Sequence, residues 1–150
     1  ICSLSGNEII LDAFSGVGTF SLLLSNQAKK IYAIESSYSS VEDAKINLNN
    51  FNNVELINSE VENITDHIFE ENIDIAILDP SRKGVHFEAL KWVINLSPSQ
   101  IIYVSCNVSS FKNDMSILET SYEIDKIIPL DMFPQTKHVE CIANLKKVTS

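Results

Sequence analysis

Residues 8 to 20 read EIILDAFSGVGTF, a run of β-branched and apolar residues that ends in an aspartate and a glycine turn. The run is strand length, and the turn opens a segment, Thr19 to Asn26, that suits a helix. Asp12, Gly16 and Gly18 make the pattern D-x-x-x-G-x-G at that junction. Glycines there let a backbone approach a ligand and open the helix tightly. The third glycine of a dinucleotide fingerprint is absent, since Ser21 takes its position. The balance therefore tips away from NAD and toward S-adenosylmethionine, which needs no pyrophosphate cradle.

Working outward, the same unit recurs. KIYAIE (30 to 35), VELIN (54 to 58), IDIAILD (73 to 79) and QIIYVSC (100 to 106) are further strand-like runs. Helix-compatible segments separate them at Ser39 to Asn50, Phe87 to Leu96 and Ser109 to Thr120. Such βαβ alternation predicts an α/β domain with a mainly parallel sheet and helices on both faces. The tail, YEIDKIIPLDMF and HVECIANLKKV with a short Pro-containing turn between them, predicts a C-terminal antiparallel hairpin closing one edge. Pro98 and Pro129 then lie near element ends, where proline is tolerated.

Length and composition agree with one such domain over residues 1 to 150. With 45% apolar, 8% aromatic and 21% charged residues, the chain is that of a folding globular domain. No apolar run approaches the ~20 residues of a membrane-spanning helix, and no basic and apolar leader opens the chain, so a cytoplasmic location is expected. Cys2, Cys106 and Cys141 are odd in number and lack CxxC or Cys/His spacing, which predicts free thiols and no metal site. The net charge of -9 argues against this segment alone gripping a long nucleic acid through its phosphates. The chain also begins at Ile1 and runs almost at once into a strand, as expected of a piece of a longer protein.

In open parallel sheets ligands bind beyond the carboxyl ends of the strands. Asp12, Glu35, Asp79 and Cys106 each fall at or just past such an end. Glu35 closes the second strand, where an acid can accept hydrogen bonds from two ribose hydroxyls; in isolation a helix cap or a solvated acid would account for it equally well, but beside the glycine turn the ribose reading wins. Ser59 and Glu60 follow the third strand, where polar groups meet an adenine. Asp79 and Pro80 make a rigid turn, and Arg82 and Lys83 beside Gly84 suit a phosphate or a developing oxyanion.

Free cysteines usually pack as small hydrophobes. Cys106, however, ends a strand at the ligand edge and precedes a helix whose amino terminus favours a thiolate. The last strand should return antiparallel, so its beginning, with Glu140, reaches the same edge. Period-2 alternation puts Val139, Cys141, Ala143 and Leu145 on one face and His138, Glu140, Ile142 and Asn144 on the other. Cys141 thus reads as packing, and His138 as structural or substrate-contacting.

Taken in order, LDAFSGVGTFSLLL, IYAIESS, ILDPSRKG, IIYVSCN and LDMFPQTKHVEC resemble the catalytic domain of the RNA uridine-5-methyltransferases, over about Ile9 to Lys146. These S-adenosylmethionine-dependent enzymes make 5-methyluridine in tRNA and rRNA. The resemblance implies a Rossmann-like class I methyltransferase fold, with Cys106 as the nucleophile that adds to the uracil ring and Glu140 as the base that takes the carbon 5 proton. It implies cofactor contacts at Phe14, Gly16, Gly18, Thr19, Glu35, Glu60 and Asp79, with Arg82 following the aspartate as in the family. Ser81 and Val108 stand where the family usually has proline, Ser15 where cysteine is common, and Glu60 where Asp or Asn is usual. Family members carry upstream segments, often an RNA-binding module, so RNA is expected to be bound through the full-length protein. A monomer is expected, without metal or membrane. Two other readings stay open: a methyltransferase for cytosine or a small molecule, and a non-catalytic S-adenosylmethionine-binding module. DPSRKG disfavours the first, and the retention of both Cys106 and Glu140 disfavours the second.

Overall fold

The computed structural model of the chain describes residues 4–65, 69–131 and 140–148. Seven strands form one sheet: β1 (Ile9–Ala13), β2 (Lys30–Glu35), β3 (Val54–Asn58), β4 (Ile75–Leu78), β5 (Gln100–Ser105), β6 (Tyr122–Leu130) and β7 (Glu140–Lys147). Four helices connect them: α1 (Thr19–Leu24), α2 (Tyr38–Leu48), α3 (Phe87–Leu96) and α4 (Val108–Leu118). A 3-10 turn, Val61–Asn63, follows β3. The strand order is β3-β2-β1-β4-β5-β7-β6. Strands β1 to β5 pair in parallel, whereas β7 runs antiparallel to both β5 and β6.

Every expected strand and helix forms, and the C-terminal pair closes the sheet as a hairpin. Its returning strand β7 inserts beside β5 and leaves β6 at the edge. Pro129 is tolerated there because an edge strand bonds on one side only. The ladder of β6 on β7 slips by one residue between Ile124 and Lys126, at Asp125. The Pro-containing turn, Val139, His138 and Cys2 lie outside the described residues.

Alternation sorts the side chains into two layers. From β1, Ile9, Leu11 and Ala13 join Leu78, Ile101 and Tyr103 in the larger core, covered by Ala89, Leu90 and Val93 of α3 and Met115 and Leu118 of α4. On the other face Ile10 packs with Ile31, Ile75, Ile77 and Ile102, against Phe20 and Leu24 of α1. Because both faces are covered, β1 is buried along its whole length. Removing one large aliphatic side chain from either layer should cost about 2–5 kcal/mol.

This packing also explains Gly18. Its φ is +82°, and a Cβ there would meet Leu48 Cδ1 at 2.8 Å. The missing side chain admits helix α2 against the first turn of α1. Gly16 differs: its φ is +55°, and no atom lies within 4 Å of where a Cβ would stand.

Candidate active site

The parallel register brings the ends of β1, β2, β3, β4 and β5 to one edge of the sheet, and the loops leaving them are laced together by hydrogen bonds. Ser15 N donates to Ile34 O at 2.9 Å, and Ser59 N donates to Glu35 O at 3.1 Å. The Glu35 carboxylate takes Gly16 N on Oε2 at 2.9 Å and Ser37 N on Oε1 at 2.7 Å. Glu35 therefore ties the glycine turn to the segment that enters α2, whose N-cap is Ser37. Each of its oxygens retains a lone pair for a further donor.

Phe14, between Asp12 and the glycines, adopts φ +66°, a left-handed backbone that a bulky residue takes at a cost of about 1–3 kcal/mol. It helps line a cavity of about 430 Å³ with Glu60, Ser81, Lys83, Gly84 and Val85. Glu60, exposed, stands at the amino end of the 3-10 turn. Thr19 is exposed at the first position of α1. Gly18 serves packing against α2 rather than an open approach, whereas Gly16 presents a face that a ligand can reach.

Alternation sends Asp12 to the α1 face, where it is fully buried. Its Oδ2 accepts from Ser21 N at 3.0 Å and from Ser21 Oγ at 2.6 Å, while Oδ1 has no partner. The Ser15 hydroxyl is also buried without one. Burial pushes the Asp12 carboxyl up to about 6, against the lowering effect of the Ser21 bonds and with added push from the Asp79 and Glu35 charges. An acid raised in this way holds its proton in the folded state between pH 3.8, its ordinary value, and about 6. Its contribution to stability is thus present at low pH and lost as pH rises through that window. The stability difference between Asp12→Asn and the wild type should grow by up to about 3 kcal/mol in favour of the variant from pH 4 to pH 7. Urea unfolding of both proteins at the two pH values measures it; a constant difference would show that Asp12 does not titrate there.

Asp79, just past β4, is likewise raised, chiefly by burial and then by the Glu140 charge. Glu140 acts on it because β4, β5 and β7 lie side by side in the sheet. The β5–β7 ladder ends at Ser105 paired with Cys141, and Cys106 and Glu140 are the next residues on the two strands. Both residues are half-buried. Cys141 alternates in step with Ala143 and Leu145 of the larger core, and burial raises its thiol. Arg82 is exposed, and its carbonyl accepts from Asn107 Nδ2 at 3.0 Å. Asn107 also caps α4, accepting from Ser109 N at 2.9 Å, so Val108 occupies the first helical position. Proline is favoured there because its N–H is not needed; valine fills the place with its own N–H at little cost.

Sequence reading missed three members of this edge. Ser21, noticed only as a missing glycine, is the partner of buried Asp12. Asn107 ties the loop after β4 to the helix after β5. Asp114, an acid on the buried face of α4, gave a signal in its position among Phe111, Met115 and Leu118. Among the described residues no group of three His, Cys, Asp or Glu side chains is gathered for a metal ion, and no helix is long and apolar enough to cross a membrane.

The cluster fits a cationic nucleoside ligand. Buried or crowded carboxylates at Asp12 and Asp79 favour positive charge, an acid at the end of β2 suits ribose hydroxyls, and a part-apolar cavity lies beside them. Comparison with known proteins points the same way. A model of the family described as tRNA (uracil-5-)-methyltransferase matches residues 3–148. An uncharacterized RNA methyltransferase of Bacillus cereus is 40% identical over 97% of this chain, which covers 33% of that protein. The crystal structure of Pyrococcus abyssi tRNA (uracil-54, C5)-methyltransferase with S-adenosyl-L-homocysteine superposes with a TM-score of 0.81 at 36% identity, over 93% of this chain and 34% of that one. An rRNA methylase from Streptococcus thermophilus shares the fold, with a TM-score of 0.76 at 19% identity over 97% of this chain and 90% of its own. The chain spans about a third of the length of the curated relatives it matches.

Proposed function

The chain belongs to the tRNA (uracil-5-)-methyltransferase family, and from that premise we propose that it is the cofactor-binding and catalytic part of an enzyme that methylates carbon 5 of a uridine in RNA. The observation that supports this reading is the β5–β7 register, whose last pair is Ser105 with Cys141, so that Cys106 and Glu140 follow it on neighbouring strands near Asp79. A nucleophile and a base on neighbouring strands are what methylation of a weakly nucleophilic ring carbon requires.

When bound, S-adenosylmethionine supplies an electrophilic methyl group carried on a sulfonium. Glu35 would accept hydrogen bonds from the ribose hydroxyls, Phe14 and Glu60 would border the adenine, and the acids at Asp12 and Asp79 would favour the cationic end. Gly16 lets the backbone come close, and Thr19 stands next to it at the start of α1. The uracil is bound flipped out of its stack. Cys106 Sγ adds as thiolate to carbon 6, and the ring electrons move to carbon 5 and the adjoining carbonyl, an enolate whose oxygen Arg82 stabilises. Carbon 5 would take the methyl group, with S-adenosylhomocysteine leaving with the electron pair of the broken bond to sulfur; Glu140 removes the carbon 5 proton, and the electrons of that bond re-form the ring double bond and expel Cys106 as thiolate. With a net charge of -9 on this chain, the phosphate contacts belong mostly to other parts of the protein.

The full-length protein incubated with unmodified RNA and S-adenosylmethionine should yield 5-methyluridine on digestion to nucleosides and mass spectrometry. Formation of 5-methylcytidine instead, or of no methylated nucleoside while calorimetry shows no S-adenosylhomocysteine binding, would overturn the reading.

A further inference from the structure

Asp114 is a buried acid outside the reacting groups, 5% exposed on the inner face of α4. Its Oδ2 accepts from Val85 N at 2.8 Å and from the Tyr103 hydroxyl. Val85 ends the loop that leaves β4 through Asp79 and Arg82. Next to it, Gly84 has φ +81°, and a Cβ there would stand 2.7 Å from Asp114 Oδ2 and 3.0 Å from Ser110 Cβ. Only a residue without a side chain lets this loop lie so close to α4. The loop closes on itself through Gly84 N to Ser81 O at 2.9 Å.

The other hold on the same loop is Asn107, whose amide donates to Arg82 O at 3.0 Å. Asn107 adjoins Cys106 and is held by Ser105, since Asn107 N donates to Ser105 Oγ at 3.2 Å and Ser105 Oγ donates to Asn107 O at 3.0 Å. The turn carrying Arg82 is therefore gripped at two points by one helix and its cap, and that cap, Asn107, immediately follows Cys106. Tyr103, fully buried two residues before Ser105 on the same face of β5, anchors Asp114 to the strand that carries the cysteine. Burial and the Asp114 charge hold the Tyr103 hydroxyl in its protonated, donating form.

We propose that Asp114 is a positioning residue for the methyl-transfer reaction, setting Arg82 relative to Cys106 through Val85, Gly84 and Tyr103. The assignment rests on the reading of Cys106 as nucleophile and Arg82 as oxyanion partner. A single carboxylate oxygen shared by a loop amide and a strand tyrosine fixes the loop to the frame that also fixes the sulfur. Loss of that anchor lets Arg82 drift relative to the enolate oxygen, while Asp12 and Glu35 keep their own hydrogen bonds to Ser21, Gly16 and Ser37.

The test uses the full-length protein and 5-fluorouridine RNA, whose methylated adduct cannot lose its carbon 5 substituent and stays attached. Asp114→Ala should slow adduct formation about a hundredfold with S-adenosylmethionine saturating. Asp114→Asn, which retains an accepting oxygen, should restore most of the rate. The double variant with Arg82→Ala should be no slower than Arg82→Ala alone, because the anchor acts through the arginine. If Asp114→Ala does not fold, Tyr103→Phe and Gly84→Ala carry the test and should slow the same step. Independent, multiplying losses at Asp114 and Arg82, or a wild-type rate in a folded variant, would overturn the assignment alone. No adduct with the wild-type protein would overturn the nucleophile reading and this assignment together.

Discussion

Cys106→Ala in the full-length protein is expected to abolish both methyl transfer to uridine and covalent trapping of 5-fluorouridine RNA. The reason is electronic. Carbon 5 of uracil becomes a competent nucleophile only after addition at carbon 6, and alanine has no group that adds. Turnover should fall by about four orders of magnitude or more, as it does when a covalent nucleophile is removed elsewhere. The fold should persist, because Cys106 lies half-buried past the last residue of β5 and outside the two packed layers. Binding of S-adenosylhomocysteine should persist as well, since Asp12, Glu35 and Phe14 belong to other strands. A variant that still forms an adduct, seen as a band surviving a denaturing gel, would remove Cys106 from the mechanism.

Glu140→Gln should fail at the opposite end of the reaction. Glutamine keeps the size of the side chain but takes no proton, so addition and methylation proceed while elimination stalls. Turnover should drop about 10²- to 10⁴-fold. A methylated protein–RNA adduct should accumulate with ordinary uridine RNA, where the wild-type protein shows none at steady state. Mass spectrometry of that adduct distinguishes the two variants: nothing for Cys106→Ala, RNA plus one methyl group for Glu140→Gln. The same substitution removes one of the two influences that raise Asp79, so the Asp79 carboxyl should shift back toward its ordinary range. Release of free methylated RNA at the wild-type rate would exclude Glu140 as the base.

The family resemblance and the fold were legible because they rest on local patterns. Five apolar runs at regular spacing encode strands whatever surrounds them, and both layers of the sheet follow from alternation within each run. The C-terminal hairpin was legible for the same reason. The roles of single residues were less so. Gly16 and Gly18 look alike in sequence, yet one faces open space and the other faces Leu48. Glu35 offered a ribose contact or a cap, and in the folded chain it bonds Gly16 and Ser37 together. Ser21 read as an absence and proved to be the partner of a buried acid.

By itself the sequence determined the strands, the helices and the chemical types gathered at the carboxyl ends, because hydrophobic period and glycine conformation act over a few residues. Only the tertiary structure decided which of those groups meet. The β5–β7 ladder ended at the pair Ser105 and Cys141, burial left one oxygen of Asp12 without a partner, and Asp114 reached across from α4 to hold the loop of Arg82. Each of these depends on elements far apart in the chain being packed to within hydrogen-bonding distance, which no local pattern encodes.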